Sequence, residues 1–329
     1  MASEATIKKT IAVVGATGTQ GSSVARTFAP LPHWHVRCLT RTPSSPKAQA
    51  LAALGCEVVA ADLGDVASLR RAFDGAHAIF LNTDFWGPFR AQVAQGAGDA
   101  VRSAFDVEVS HGRNAVLAAA SDSATLERLV YSALGPMKAA SRGKYGDSYH
   151  WEAKASVVRH IEEEEEEVVA RRTSYIYVGA YCTNGLFYPK RDPGTGEYRL
   201  VLPGRSATRF PLIDAERSVG KFVRALVESE PPRTRLLAYD SFLSVDEVLA
   251  AWSRVTGREA RFVQVTLEEM QKLTGLPKEV LIGPAYVDEF GYTAGVDNVV
   301  GPEDLKVKVE TPGWEEWLRT RDVQELLQK

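Results

Sequence analysis

Short apolar runs alternate, through the first half of the chain, with stretches whose apolar residues recur every three or four positions. The runs are "TIAVVGA" (10–16), "HVRCLT" (35–40), "CEVVAAD" (56–62), "AHAIFLNT" (76–83), "RLVYSAL" (128–134) and "TSYIYVGAY" (173–181), and each reads as a strand. Between them, residues 20–28, 46–54 and 66–73 carry helical spacing. Continuous apolar strands separated by amphipathic helices predict a parallel sheet covered on both faces. Right-handed crossovers make this a doubly wound α/β sheet, with its ligand at the carboxyl ends of the strands.

Two stretches interrupt the rhythm. Residues 84–106 separate the fourth strand from its helix and hold Phe85, Trp86, Phe89 and Phe105 around Gly96 and Gly98. Residues 135–148 follow the fifth strand and are rich in Gly, Ser, Lys and Tyr. Both leave the carboxyl edge of the sheet, so each is a candidate ligand cover or a surface elaboration. Beyond Tyr181 the pattern reads as loops and a hairpin over 184–205, then a helix over 214–228 with Asp214 at its cap. A strand at 235–240, a capped helix over 244–257 ended by Gly257, a strand at 260–266 and a terminal helix over 313–328 follow. The division expected is a dinucleotide-binding domain over 7–181 and a smaller mixed α/β lobe over 182–329, with parts of 210–242 returning to the first. The run "EEEEEE" (162–167) goes right round a helix; Arg159 and Arg171 stand four residues from Glu163 and Glu167 and allow weak pairs. It reads as a solvated face, with a docking site as the alternative.

Composition changes this picture little, but it excludes several classes. The chain has 329 residues, 45% hydrophobic and 25% charged, which is ordinary for a globular protein. A net charge of -3 gives no footprint for direct nucleic-acid binding. Cys38, Cys56 and Cys182 are odd in number and far apart, so no disulfide framework or metal spacing follows. The six histidines share no ligand spacing either, and no metal is expected. "MASEATIKKT" lacks an apolar signal region, and no stretch reaches the ~18 apolar residues of a membrane span. The expectation is a soluble, cytoplasmic protein without a membrane partner, its oligomeric state open.

The first strand runs directly into "GATGTQG", in which Gly15, Gly18 and Gly21 frame Thr17 and Gln20. The chain must turn sharply out of the strand, let its backbone approach a pyrophosphate, and pack the following helix closely on the sheet; a side chain at these glycines obstructs one of the three. The helix N-terminus then holds the phosphates. An NAD protein places Asp or Glu about 20 residues further on. Here the second strand ends "LTRTPSSPK", with Arg41 at that place and Lys47 nearby, which suits a 2′-phosphate and favours NADP(H). Arg37 is a structural candidate. Asp62 ends the third strand where it can meet the adenine amine, and Asn82 and Thr83 end the fourth beside the expected cofactor path.

"VVGATGTQGSSVAR", "LTRTP", "GCEVVAADLGD", "LNTDFWG", "YSAL", "HWEAK", "GAYCTN" and "PLIDAERSVG" together resemble the NmrA-like branch of atypical short-chain dehydrogenases/reductases. The resemblance implies a Rossmann domain with a small α/β lobe, and a cleft between them for substrate or partner. It implies Gly15, Gly18, Gln20 and Gly21 at the phosphates, Arg41 at the 2′-phosphate, and Asp62, Asn82 and Lys154 as further cofactor contacts. The chain departs from its relatives in the 84–106 segment and the glutamate run. Some members resemble NAD(P)(H)-responsive regulators without turnover, and others reduce quinones, carbonyls or imines.

Short-chain reductases usually carry Tyr-x-x-x-Lys, but in "SYHWEAK" (148–154) Tyr149 lies one residue too far from Lys154 and His150 has the right spacing. His150 and Lys154 share one helix face. Lys154 is read as a nicotinamide-ribose contact, with or without catalysis. Histidine as a residue type changes protonation in the physiological range, which makes His150 the candidate proton donor, against a helix-end or substrate-contact role. Ser132, ending the fifth strand, is either a substrate-polarising hydroxyl or simply the small residue that nicotinamide needs there. Trp86, Tyr149, Tyr177 and Tyr181 are candidates for a substrate pocket, with core packing as the commoner use of such residues. The reading is an NADP(H)-dependent reductase of a small aromatic or conjugated carbonyl or imine. The alternative is a non-catalytic NADP(H)-binding redox sensor acting through protein partners.

Overall fold

A computed structural model of the chain describes residues 8–96, 98–121, 124–164 and 167–328. Six strands arise from the apolar runs: β1 (Lys9–Val13), β2 (Trp34–Thr40), β3 (Glu57–Ala60), β4 (Ala78–Leu81), β5 (Arg128–Ala133) and β6 (Thr173–Val178). The sixth run is not one strand. It leaves the large sheet at Gly179, and β7 (Ala180–Tyr181) pairs elsewhere. The remaining strands are β8 (Lys190–Arg191), β9 (Tyr198–Pro203), β10 (Arg209–Ile213), β11 (Arg235–Ala238), β12 (Ser241–Ser244), β13 (Ala260–Val265) and β14 (Val299–Val300).

The large sheet has eight strands in the order β14-β11-β6-β5-β4-β1-β2-β3, every neighbouring pair parallel. Helices cover both faces, so its central strands are buried on both sides. Along β1, Ile11 and Val13 face one layer, which holds α1 (Thr19–Phe28), α2 (Pro46–Ala52) and α9 (Ala215–Glu228). Ala12 and Val14 face the other, which holds α3 (Val66–Phe73), α5 (Ala100–Ser121), α7 (Tyr149–Arg159) and α8 (Glu167–Arg172). The strand order reverses between β1 and β4, which opens a crevice beyond their carboxyl ends.

Most of the described part of 84–106 is helical. Asp84 accepts from the N–H groups of Trp86 and Gly87 and starts α4 (Trp86–Ala94), and α5 is under way by Ala100. Residues 135–148 contain only the short α6 (Met137–Ala140). In the glutamate run, His160–Glu164 forms a π-helical turn in which Glu162 pairs with Arg235 at 2.5 Å; Glu165 and Glu166 lie outside the described residues. Arg159 donates to Ser156 at 3.0 Å. Arg37 is structural, bonded to Glu57 and to the carbonyls of Ala72 and Asp74.

The chain beyond Gly179 gives β11 and β14 to the large sheet and builds two three-stranded sheets, β12-β10-β7 and β13-β9-β8. α10 (Val245–Thr256) has the expected start and stop: a capping box of Ser244 and Glu247, and Gly257 in the left-handed region. Asp214 sits at the cap of α9 without a side-chain capping bond. The expected terminal helix is two, α13 (Trp314–Arg319) and α14 (Val323–Gln328). Between β13 and β14 come two helices that the apolar pattern did not announce, α11 (Leu267–Thr274) and α12 (Lys278–Phe290). These elements share an aromatic core around Trp252, Trp314, Trp317 and Tyr286, and α12 borders the crevice of the large sheet.

Candidate functional site

A cleft of about 1330 Å³ runs along the carboxyl ends of β1, β2, β4 and β5 and continues under α12. At one end the chain turns out of β1 at Gly15, whose φ of +68° is left-handed. A Cβ on Gly21 would stand 2.2 Å from the Gly15 carbonyl oxygen, so α1 comes as close to the turn as a backbone can. No side chain caps α1, whose first N–H groups open beside Gly15, Thr17 and Gly18. This cradle fits a pyrophosphate. Arg41 and Lys47 are exposed on the cleft wall and meet no carboxylate among the described residues, as a site for a further phosphate requires. Asp62 also lines the cleft, one oxygen accepting from Gly64 N–H at 2.7 Å.

Gln20 lines the cleft beside the glycine turn. Its amide donates to the Tyr181 hydroxyl at 2.8 Å, tying the glycine turn to β7. Tyr181 lines the cleft, and burial pushes its phenol up in pKa, opposed by that hydrogen bond. His111 of α5, not singled out from the sequence, also reaches the cleft, and burial there holds its imidazole below the usual range.

Beyond β4 and β5 lies a polar knot. The Lys154 ammonium donates to Asn82 Oδ1 at 3.2 Å, to the Thr83 carbonyl at 3.1 Å and hydroxyl at 3.2 Å, and to the Ser132 carbonyl at 3.3 Å. It also stands 3.3 Å from Oε1 of Glu108, a carboxylate with no exposed surface. Thr83 donates its hydroxyl to the same Oε1 at 2.6 Å, so that hydroxyl faces inward. Ser132 is buried at the cleft floor, and its carbonyl serves Lys154. Glu108 reaches Lys154 because α5 and α7 pack closely, with the Val157 side chain seated on Gly112; a Cβ on Gly112, one turn along from Glu108, would meet Val157 at 2.3 Å.

His150 opens α7 within the same cleft. Glu279, at the start of α12 and 3% exposed, accepts from the N–H of Tyr149 at 2.8 Å, from the N–H of His150 at 2.9 Å, and from His150 Nδ1. The carboxylate therefore caps α7 and fixes the imidazole. Nε2 is the ring nitrogen left for a ligand. The Trp86 ring lies 5.0 Å from the imidazole and that of Phe85 6.0 Å, which makes one wall aromatic. Two expected pocket residues stand elsewhere. Tyr177 is 2% exposed in the core, because strand alternation sends it with Tyr175 to the face under α5 and α7. Tyr149, the first residue of α7, packs edge-on against Phe105 at 5.8 Å. Glu108 and Glu279 join the site without having been singled out, and Phe85 joins it from the 84–106 segment read as a candidate cover.

The NmrA-like family profile matches residues 7–318. An NmrA-like family domain-containing oxidoreductase, cpsB, of Aspergillus campestris is 29% identical over 278 residues, which is 78% of this chain and 76% of that protein. The nitrogen metabolite repression protein nmrA of Emericella nidulans is 27% identical over 281 residues, 80% of this chain and 70% of that protein. Among solved structures, the Escherichia coli NADPH-dependent quinone oxidoreductase complexed with NADPH superposes with a TM-score of 0.65 at 19% identity, covering 94% of this chain and 99% of that one.

Proposed function

The chain belongs to the NmrA-like family, and on that premise we propose that it is an NADP(H)-dependent oxidoreductase that reduces a small aromatic or conjugated carbonyl or imine. The observation that carries the reading is His150, held by Glu279, lining one cleft with an uncapped glycine turn and with Arg41 and Lys47, which meet no carboxylate among the described residues. Oxidoreductases among the relatives, and an NADPH complex among the structural neighbours, support it.

Gly15, Thr17, Gly18 and Gly21 are assigned to the pyrophosphate, Arg41 and Lys47 to the 2′-phosphate, Asp62 to the adenine, and Asn82 and Lys154 to the nicotinamide ribose. NADPH, when bound, supplies the hydride. His150 is assigned the proton. Protonated, it holds Nδ1–H against the Glu279 carboxylate and presents Nε2–H to the carbonyl oxygen or imine nitrogen that gains negative charge. Glu279 stabilises the imidazolium and keeps the ring from rotating, as an orienting acid does in any carboxylate–histidine pair. After transfer the proton remains on Nδ1, and Nε2 is protonated again from the cleft. Trp86 and Phe85 offer a flat apolar wall to a conjugated substrate while excluding water around the imidazole.

The test is equilibrium titration with NADPH and NADH, together with NADPH oxidation against carbonyls, quinones and imines. Oxidation that falls at least about 10²-fold in His150→Ala with unchanged NADPH affinity is the expected result for a general acid. Tight NADPH binding without oxidation of any panel member overturns the enzyme reading in favour of a redox-sensing regulator; a regulatory role, without the redox part, is what the repression protein's name carries.

A further inference from the structure

We infer that Glu108 is a positioning residue that neutralises Lys154, and that the pair sets how the cleft weighs oxidised against reduced cofactor. The inference rests on the NADP(H) reading above. It starts from the oversupply of acceptors around Lys154: four oxygens from Asn82, Thr83 and Ser132 and one from Glu108, for three N–H donors. An ammonium so surrounded is a clamp on the ends of β4 and β5 and not a mobile acid, and a ribose hydroxyl takes one of its N–H donors in place of one of these competing oxygens.

Glu108 adds something that neutral acceptors cannot. Its side chain has no exposed surface and that of Lys154 has 13%, so neither charge is screened by water as a surface pair is. The second carboxylate oxygen, Oε2, is buried without a hydrogen-bond partner among the described residues, and Tyr131 reaches the acid only through Thr83, at 3.3 Å. A fold needing only a clamp for Lys154 already has it in the carbonyls of Thr83 and Ser132. The buried acid makes the floor of the cleft electrically neutral where β4 and β5 end, the edge at which a doubly wound sheet receives the reactive part of its ligand. NADP⁺ carries a positive charge on its ring and NADPH does not. An uncompensated Lys154 repels the first and is indifferent to the second.

The prediction is a differential one. In Glu108→Gln the dissociation constant of NADP⁺ rises about tenfold, since a unit charge several ångströms away still acts at an effective dielectric near 20. That of NADPH changes less than about threefold, within ordinary side-chain perturbation. Both are read by tryptophan-quenching titration, independent of turnover. Glu108→Asp restores most of the wild-type ratio. Lys154→Met/Glu108→Gln, again without net charge at that point, returns the NADP⁺-to-NADPH ratio to wild type even if both affinities are weaker. It also melts at a higher temperature than Lys154→Met, which leaves a buried acid unpaired. If Glu108→Gln does not fold, the double variant and Glu108→Asp decide the matter. Equal weakening of both cofactors in Glu108→Gln, or a double variant whose ratio is displaced from wild type, overturns the inference. Failure of the wild-type protein to bind NADP(H) at all overturns the cofactor reading instead.

Discussion

Replacing Glu279 tests the proton-donor assignment and the local architecture at once. The carboxylate is 3% exposed and accepts three hydrogen bonds, two from the first N–H groups of α7 and one from the His150 ring. A hydrogen bond to a charged group contributes about 1.5–3 kcal/mol and a helix cap about 1 kcal/mol. The three contacts share one acceptor and do not add, because the freed N–H groups and imidazole recover part of the loss from water, so Glu279→Ala is expected to cost about 3 kcal/mol. At about 2.1 cal/mol/K of unfolding entropy per residue, that lowers Tm by about 4 °C in a chain of this length. Glu279→Gln keeps an acceptor oxygen on one side and replaces the other oxygen, and the negative charge, with an amide NH2, so one of the two backbone N–H groups loses its partner and the stability cost is about 2 kcal/mol. Turnover in that variant falls at least about tenfold, a fraction of the 10²–10⁴ that a positioned acid contributes. Urea melts followed by circular dichroism, and NADPH oxidation under saturating cofactor, read the two effects separately. Glu279→Gln with wild-type kcat refutes the orienting role. Glu279→Ala within about 0.5 kcal/mol of wild type, the range of an ordinary surface change, refutes the burial argument.

Arg41→Ala should weaken NADPH at least about tenfold through loss of a charge-assisted contact, and leave NADH nearly untouched; equal weakening of both rules out the 2′-phosphate assignment. Gly21→Ala brings a methyl to 2.2 Å from the Gly15 carbonyl oxygen. It should cost about 1–3 kcal/mol as an overpacked contact and abolish NADPH-dependent stabilisation in thermal melts, so a variant still protected by NADPH contradicts the cradle. Burial holds the Asp240 carboxyl up at about 6 from an ordinary 3.8. The folded state therefore binds its proton more tightly than the unfolded chain, and the stability it contributes is present below about pH 4 and lost as pH rises through about 6, by about 3 kcal/mol in all. Asp240→Asn should flatten that limb of the stability profile in urea melts at pH 4 to 7; an unchanged slope disproves it.

The parts of this fold that the apolar pattern announces are those whose burial is one-dimensional. β4 is buried at all four residues and β6 at all six, so both read as uninterrupted runs, and the glycine spacing after β1 records a contact made within a few residues. α4 has no buried residue, so its helical period never appears in the sequence, and "DFWGPF" looks like a loop. α11 left a usable signal, since Thr266 and Glu269 form a capping box and Gly275 ends the helix in the left-handed region.

The two acids of the site divide along the same line. Glu108 occupies the buried stripe of α5 with Ala104, Gly112, Ala115 and Ala119. An acid on a stripe otherwise made of small and apolar residues must be neutralised or paired once it is covered, so its register alone marks it as a group with a partner. Glu279 stands in the first turn of α12, where acids are common because the helix dipole favours them. Its bond to His150 closes over 129 residues and exists only because α12 lies across the start of α7. An ordinary helix-start glutamate and an orienting acid have the same sequence signature, and only the tertiary contact separates them.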